Sequence, residues 1–210
     1  MNLYNYYYYF KSALTPRLCD EIIKYGNKQQ EQIALTGTQH KKNNNSKLNK
    51  KQLNDLKQKR DSNIVWMNDR WIYKETQPYV AMANQAAGWN FDWDWSESCQ
   101  FTKYKLNQFY DWHSDSWAHA YNSPNDLNSD GKIRKLSVTC SLTDPKDYEG
   151  GELEFQFRNE DDPSITQTCT EILPRGSIVV FPSFVWHRIK PVTKGVRYSL
   201  VMWNLGYPFR

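Results

Sequence analysis

The sequence predicts a mainly β fold with supporting helices, and three observations predict it. From Trp89 onward, short runs rich in aromatic and β-branched residues alternate with turn clusters. Before that point the apolar residues recur at helical spacing instead. Nine Trp, fourteen Tyr and nine Phe supply the apolar area of a real core, despite a mean hydropathy of −0.84. The architecture is a single domain: a mostly helical N-terminal part, residues 1–90, supports a jelly-roll core over 91–210, a double-stranded β-helix.

Taken in order, residues 4–10 (YNYYYYF) form the expected opening strand. Thr15-Pro16 reads as an N-cap and first helical position. Leu18, Cys19, Ile22, Ile23 and Tyr25 follow at helical spacing, and Gly26 stops the helix. Residues 36–59 are rich in Asn, Lys and Gln and are expected to be a mobile insertion. Arg60-Asp61-Ser62 then leads into a short strand at Ile64-Val65-Trp66. Between 69 and 87, Trp71, Ile72, Tyr79, Val80, Met82, Ala83, Ala86 and Ala87 keep helical spacing up to Gly88. The predicted strands follow as FDWDW, CQFTKYKL, KLSVTCSLT, GELEFQF, TQTCTEIL, GSIVVF and RYSLVMWNL. Turn signals at Asp144-Pro145, Gly150-Gly151 and Pro174-Arg175-Gly176 are among those that separate them.

At 210 residues the chain suits one domain. Its net charge of +4 is mild, and much of the excess lies in KKNNNSKLNKKQLNDLKQKR, residues 41–60. A solvated loop or helix face is the plain account of such a run; an acidic partner is the alternative. Cys19, Cys99, Cys140 and Cys169 are scattered, which fits reduced thiols and leaves one disulfide open. MNLYNYYYYFKSAL has no basic stretch followed by an apolar one, so no secretion signal is expected. Nor does any apolar run approach the roughly 18 residues of a membrane span. A cytoplasmic location follows as the expectation, host cytoplasm if the gene is carried by a phage.

The chemistry concentrates in QFYDWHSDSW and FPSFVWHRIKPV. Residues two apart on a strand point to one face, so His113 and Asp115 can converge on one ion. His187 supplies a third ligand. Any of these alone is weak, and a lone histidine beside Trp186 is more often a core residue. Two imidazoles and a carboxylate together are the set that holds non-haem Fe(II) on one face and leaves other positions open. In GVRYSLVMW, alternation puts Arg197, Ser199, Val201 and Trp203 on one strand face and Tyr198, Leu200 and Met202 on the other. A cation inside a strand is costly unless paired. A bound carboxylate answers that cost, and an edge-strand ion pair is the bland alternative.

With these residues the chain resembles the Fe(II)/2-oxoglutarate-dependent dioxygenases, in particular their prolyl 4-hydroxylase-like branch of bacterial and phage type. The resemblance rests on Tyr104 followed nine residues later by His113-x-Asp115 and on Gly150-Gly151-Glu152-Leu153. It continues in Pro174, Gly176, Phe181-Pro182 and His187, and in Arg197-x-Ser199. Softer matches lie at Arg60-Asp61-Ser62 with Trp66 and in the stretch from Ala83 to Asp92, so it covers roughly residues 10–206. It implies that His113, Asp115 and His187 hold Fe(II), and that Arg197, with a hydrogen bond from Tyr104 and help from Ser199, binds the distal carboxylate of 2-oxoglutarate. Trp203 is placed with the co-substrate residues as a wall of the pocket. O2 is the second co-substrate and ascorbate a further candidate ligand. The implied reaction hydroxylates a protein or peptide, with proline the first candidate, and releases succinate and CO2. Arg60 to Trp66 and the preceding loop are the implied lid.

Several departures stand out. Asn107 occupies a position where this branch often has glycine. Arg197 replaces the lysine of animal collagen prolyl hydroxylases. His119 is expected in a loop near the pocket mouth, and His40 in the mobile segment. Two competing readings remain: a nucleic-acid-modifying oxygenase of the AlkB-like kind and a silent cupin-like binding module. Trp203 stands where the AlkB-like branch carries a second arginine, which argues against a nucleic-acid substrate.

Overall fold

Strand alternation sorts the chain into two facing sheets in the computed structural model, which describes residues 3–34, 50–157, 162 and 165–209. Fifteen strands are described, beginning with β1 (Tyr8–Phe10), β2 (Gln32–Ile33), β3 (Arg60–Asp61), β4 (Asn63–Met67) and β5 (Trp95–Ser96). The next five are β6 (Cys99–Tyr104), β7 (Phe109–His113), β8 (Ile133–Ser141), β9 (Tyr148–Gly150) and β10 (Leu153–Gln156). Then come β11 (Thr166–Thr168), β12 (Ile178–Pro182), β13 (Trp186–Ile189), β14 (Val192–Gly195) and β15 (Arg197–Gly206). The large sheet runs β1-β12-β8-β15-β6-β4-β2, with β5 added on β15. The small sheet runs β11-β10-β13-β7-β3, and β14 pairs with β9. All pairings are antiparallel, the jelly roll of a double-stranded β-helix.

Helix α1 (Pro16–Asn27) starts where Thr15 Oγ1 accepts from the Leu18 N–H at 3.2 Å, with Pro16 pre-set for the first turn. Helix α3 (Arg70–Ala86) starts after Asp69. Both cover the outer face of the large sheet: Cys19, Ile22, Ile72, Val80 and Ala83 meet Phe101, Val138, Leu200 and Met202. Burying a side chain such as Leu200 contributes about 2 kcal/mol. The opposite face of the same strands, with Tyr104, Val179 and Phe181, packs on Leu153, Phe155 and Ile189 of the small sheet. The site lies between the sheets.

Several expectations change. The opening strand is confined to Tyr8–Phe10, and FDWDW contributes only Trp95 to β5. The second half of TQTCTEIL is a 3-10 turn, Thr170–Ile172. Residues 50–59 are helix α2 (Lys50–Lys59), which packs against β3 and β7 and buries Leu56. Two leucines, Leu53 and Leu56, among eight polar residues were too faint a pattern to separate from their surroundings; the rest of the proposed insertion, with His40, lies outside the described residues. Arg60 to Trp66 is no lid. It forms β3 of the small sheet and β4, held between β6 and β2 in the large one. All four cysteines are free and buried. No described helix is long and apolar enough to cross a membrane.

Candidate metal centre

His113 ends β7 and His187 sits one residue into β13, and the two strands pair with these residues directly opposite. Asp115 is not on the strand, as the i, i+2 argument required. It lies two residues beyond the strand end, where the N–H groups of Asp115 and Ser116 both donate to Ser183 O at 2.8 Å and turn the carboxylate back. The outcome is the expected convergence by a different route. His113 Nε2 stands 3.8 Å from Asp115 Oδ1, and His187 Nε2 stands 3.6 Å from Asp115 Oδ2. One donor atom from each of the three lies within 4.8 Å of the others.

The surroundings prepare these atoms as ligands. His113 Nδ1 is 2.8 Å from Asp111 O and His187 Nδ1 is 3.0 Å from Val185 O. A carbonyl only accepts, so each Nδ1 carries the proton and each Nε2 presents a lone pair. Asp115 Oδ2 accepts from Ser137 Oγ at 2.7 Å, and Ser137 is backed by Ser183 Oγ at 2.8 Å. The Tyr110 ring stacks on His113 at 3.5 Å. Burial, and then the neighbouring His187, push His113 well below the ordinary imidazole range, which keeps it unprotonated. Burial opposes ionisation of Asp115, but His187, His113, Arg134 and the Trp203 indole outweigh it and hold the carboxyl at about 2. Two imidazoles presenting Nε2 and an ionised carboxylate, with open space beside them, fit a divalent non-haem iron.

A buried cation lies behind this cavity wall. Arg197 is 2 % exposed, pairs across strands with Tyr104, and has its guanidinium 5.5 Å from that ring centroid. Its Nη1 donates to Ser199 Oγ at 3.3 Å, and it has no carboxylate within ion-pair distance among the described residues. Tyr104, Ser199 and Trp203 line the cavity with the three ligands. Gly151 makes room for the guanidinium. Its φ is +66°, and a Cβ there would meet Arg197 Cδ at 2.9 Å and Val192 Cγ2 at 3.0 Å. The Gly151→Ala variant is therefore expected to lose about 1–3 kcal/mol from backbone strain alone. It should also lose part of any carboxylate-induced rise in melting temperature, which differential scanning fluorimetry would read. Asn107, at the position where glycine was expected, has φ +64°, so the left-handed turn persists on the side chain that best tolerates it.

Reading the sequence missed several contributors. Ser137 and Thr139 alternate along β8 with the outward Leu136 and Val138, a polar inner stripe visible in KLSVTCS. Tyr110 and Arg60 were not placed at the centre, yet Arg60 lies 4.4 Å over Tyr110 because β3 pairs with β7 in that register. Nor was the strand carrying His187 foreseen; Pro182 and Pro191 bracket it so closely that it read as a connection. His119 lines a small separate cavity with Trp117 and Lys132, away from the three ligands.

Facing sheets that bring a His-x-Asp, at and just past the end of one strand, against a distal His on the paired strand form the scaffold of a non-haem metal oxygenase. The chain belongs to the 2OG-Fe(II) oxygenase superfamily, whose family model matches residues 99–204. A PKHD-type hydroxylase of Synechococcus sp. (strain CC9902) is 35 % identical over 111 residues, 52 % of this chain and 42 % of that protein. Another, from Hyphomonas neptunium, is 40 % identical over 75 residues, 35 % of this chain and 30 % of that protein. The matches thus span less than half of these curated relatives. Among solved structures, a Pseudomonas putida prolyl-4-hydroxylase superposes with TM-score 0.63 at 18 % identity, covering 96 % of this chain and 93 % of that one. The viral collagen prolyl hydroxylase of Paramecium Bursaria Chlorella virus-1 gives 0.61 at 18 % identity over 97 % of each chain. At such identities the structures bear on the fold.

Proposed function

We propose that this protein is an Fe(II)- and 2-oxoglutarate-dependent oxygenase that hydroxylates a peptidyl side chain, with proline the first candidate. One observation carries the reading: a His/Asp/His set shares a cavity with Tyr104 and Ser199, the two residues against which a buried Arg197 lies without a carboxylate partner among the described residues. His113, Asp115 and His187 would hold Fe(II) through Nε2, a carboxylate oxygen and Nε2. Arg197 and Tyr104 would bind the distal carboxylate of 2-oxoglutarate, and Ser199 would orient the guanidinium through their existing hydrogen bond. When bound together, iron, 2-oxoglutarate and O2 supply the oxidant that turns a substrate C–H into C–OH, with succinate and CO2 as co-products. Phe181, Leu153 and Ile189 keep water from the remaining wall.

A groove of about 1090 Å³ adjoins this cavity and supports an extended peptide as substrate. Trp66, Trp93, Trp95, Trp117 and Tyr121 line it, and flat aromatic surfaces of this kind receive proline-rich segments. It shares a wall with the cavity, because Arg134 of the groove lies 3.9 Å over the Trp203 ring. Curated PKHD-type hydroxylases among the relatives, and a Trichoplax adhaerens prolyl hydroxylase solved with a peptide fragment, support the same class. The test loads the protein with iron anaerobically, adds 2-oxoglutarate, admits air and measures succinate, with and without proline-containing peptides. Succinate formation that vanishes in His187→Ala and Arg197→Ala, with peptide mass rising by one oxygen, is the expected result. Absence of both iron binding and succinate would overturn it.

A further inference from the structure

Trp203 is 5 % exposed and lines the metal cavity, yet its indole N–H meets no hydrogen-bond partner among the described residues. A buried donor left unmade is costly, so a native structure retains one chiefly where something completes it. Its surroundings say what that is. Trp203 on β15 stands directly opposite Ser137 on β8. Directly opposed residues of an antiparallel pair hold their Cβ atoms about 5 Å apart on one face. Ser137 is the residue whose Oγ donates to Asp115 Oδ2 at 2.7 Å. Ser137 thus has its bond to the carboxylate made, while Trp203, its cross-strand neighbour, lines the same cavity as Asp115 with a donor to spare.

The indole is also held from behind. The Arg134 guanidinium lies 3.9 Å over its ring, and Arg134 is tied through Nη2 and Nε to the Glu97 carboxylate. Glu97 is fixed in turn by the Tyr121 hydroxyl at 2.6 Å. Trp66, a groove residue, has its ring centroid 6.1 Å from that of Trp203. So large a ring, packed between Arg134 and Trp66, has little freedom to turn its N–H elsewhere.

We infer that Trp203 is a positioning residue: once a metal shared with His113 and His187 draws the Asp115 carboxylate into place, the unpartnered indole N–H becomes its second donor and, with Ser137, sets its orientation. The inference rests on the metal-binding role of Asp115. It reassigns Trp203 from the co-substrate residues to the support of a metal ligand.

The experiment compares wild type, Trp203→Phe, Ser137→Ala and His187→Gln by Mn(II) titration followed by electron paramagnetic resonance, and by the visible ligand-field spectrum of the Co(II) forms. Trp203→Phe keeps an aromatic ring and removes the donor. A loss of about tenfold in Mn(II) affinity is expected, with an altered Co(II) spectrum. Ser137→Ala should act in the same direction. If Trp203→Phe fails to fold by circular dichroism, Glu97→Gln substitutes for it: freeing Arg134 loosens the indole and should shift the Co(II) spectrum while the fold is kept. Wild-type Mn(II) affinity and an unchanged Co(II) spectrum in Trp203→Phe, or an unchanged Co(II) spectrum in a substituted Glu97→Gln, overturn the inference. Loss of Mn(II) binding in His187→Gln shows independently that the metal site itself is read correctly.

Discussion

The His187→Gln variant is expected to lose divalent-metal binding by on the order of 1000-fold, well beyond the 10–100-fold effect of disturbing a ligand's hydrogen-bond partner. The reason is geometric. Among the described residues three donors face the shared point, and His187 Nε2 stands 3.6 Å from Asp115 Oδ2. Glutamine is preferred to alanine because the imidazole also fills space. It packs edge-on against Phe181 at 4.7 Å and approaches Phe155 at 6.3 Å. Alanine would add a cavity cost of about 2 kcal/mol or more to any loss of metal. Calorimetric titration with Mn(II), with melting temperature measured in parallel without metal, separates the two effects. Retained wild-type affinity in His187→Gln would mean that the three residues do not share an ion.

The second large effect concerns Arg197 and has opposite signs in two measurements. Without ligand, the guanidinium is buried beside Tyr104 and Ser199 with no carboxylate among the described residues to neutralise it, a state that costs desolvation energy. Replacing it with methionine, of similar length and apolar, should leave the melting temperature of the ligand-free protein unchanged or raise it. The same change should weaken 2-oxoglutarate binding by about 3 kcal/mol, some 100- to 1000-fold, because it removes both charge and donors from a buried ion pair. The rise in melting temperature caused by 2-oxoglutarate would disappear accordingly. Arg197→Lys keeps the charge but not the planar fork, and should fall between the two. A ligand-free melting temperature that drops by several degrees, with the 2-oxoglutarate response intact, would show Arg197 to be an internal structural cation instead.

The sequence by itself determined the parts of this protein written as local pattern. Short aromatic and β-branched runs between turn clusters from Trp89 onward announced a sheet protein, and alternation in RYSLVMWNL separated Ser199 and Trp203, on the cavity wall, from Leu200 and Met202, in the core under the helices. Thr15-Pro16 announced the start of a helix. His113-x-Asp115 with a distal His187 named a ligand set, since few combinations of residue types make a metal site. What only the tertiary structure decided depends on pairing between distant segments, which leaves no periodic trace. The return of Asp115 depends on a carbonyl at Ser183. The stack of Arg60 on Tyr110 on His113 depends on the register of β3 against β7. The unpartnered indole of Trp203 lies beside Ser137 because β15 meets β8 at that step and no other. Side-chain type carries the chemistry a residue is capable of, but strand register, set by the summed packing of both sheets, selects its neighbours.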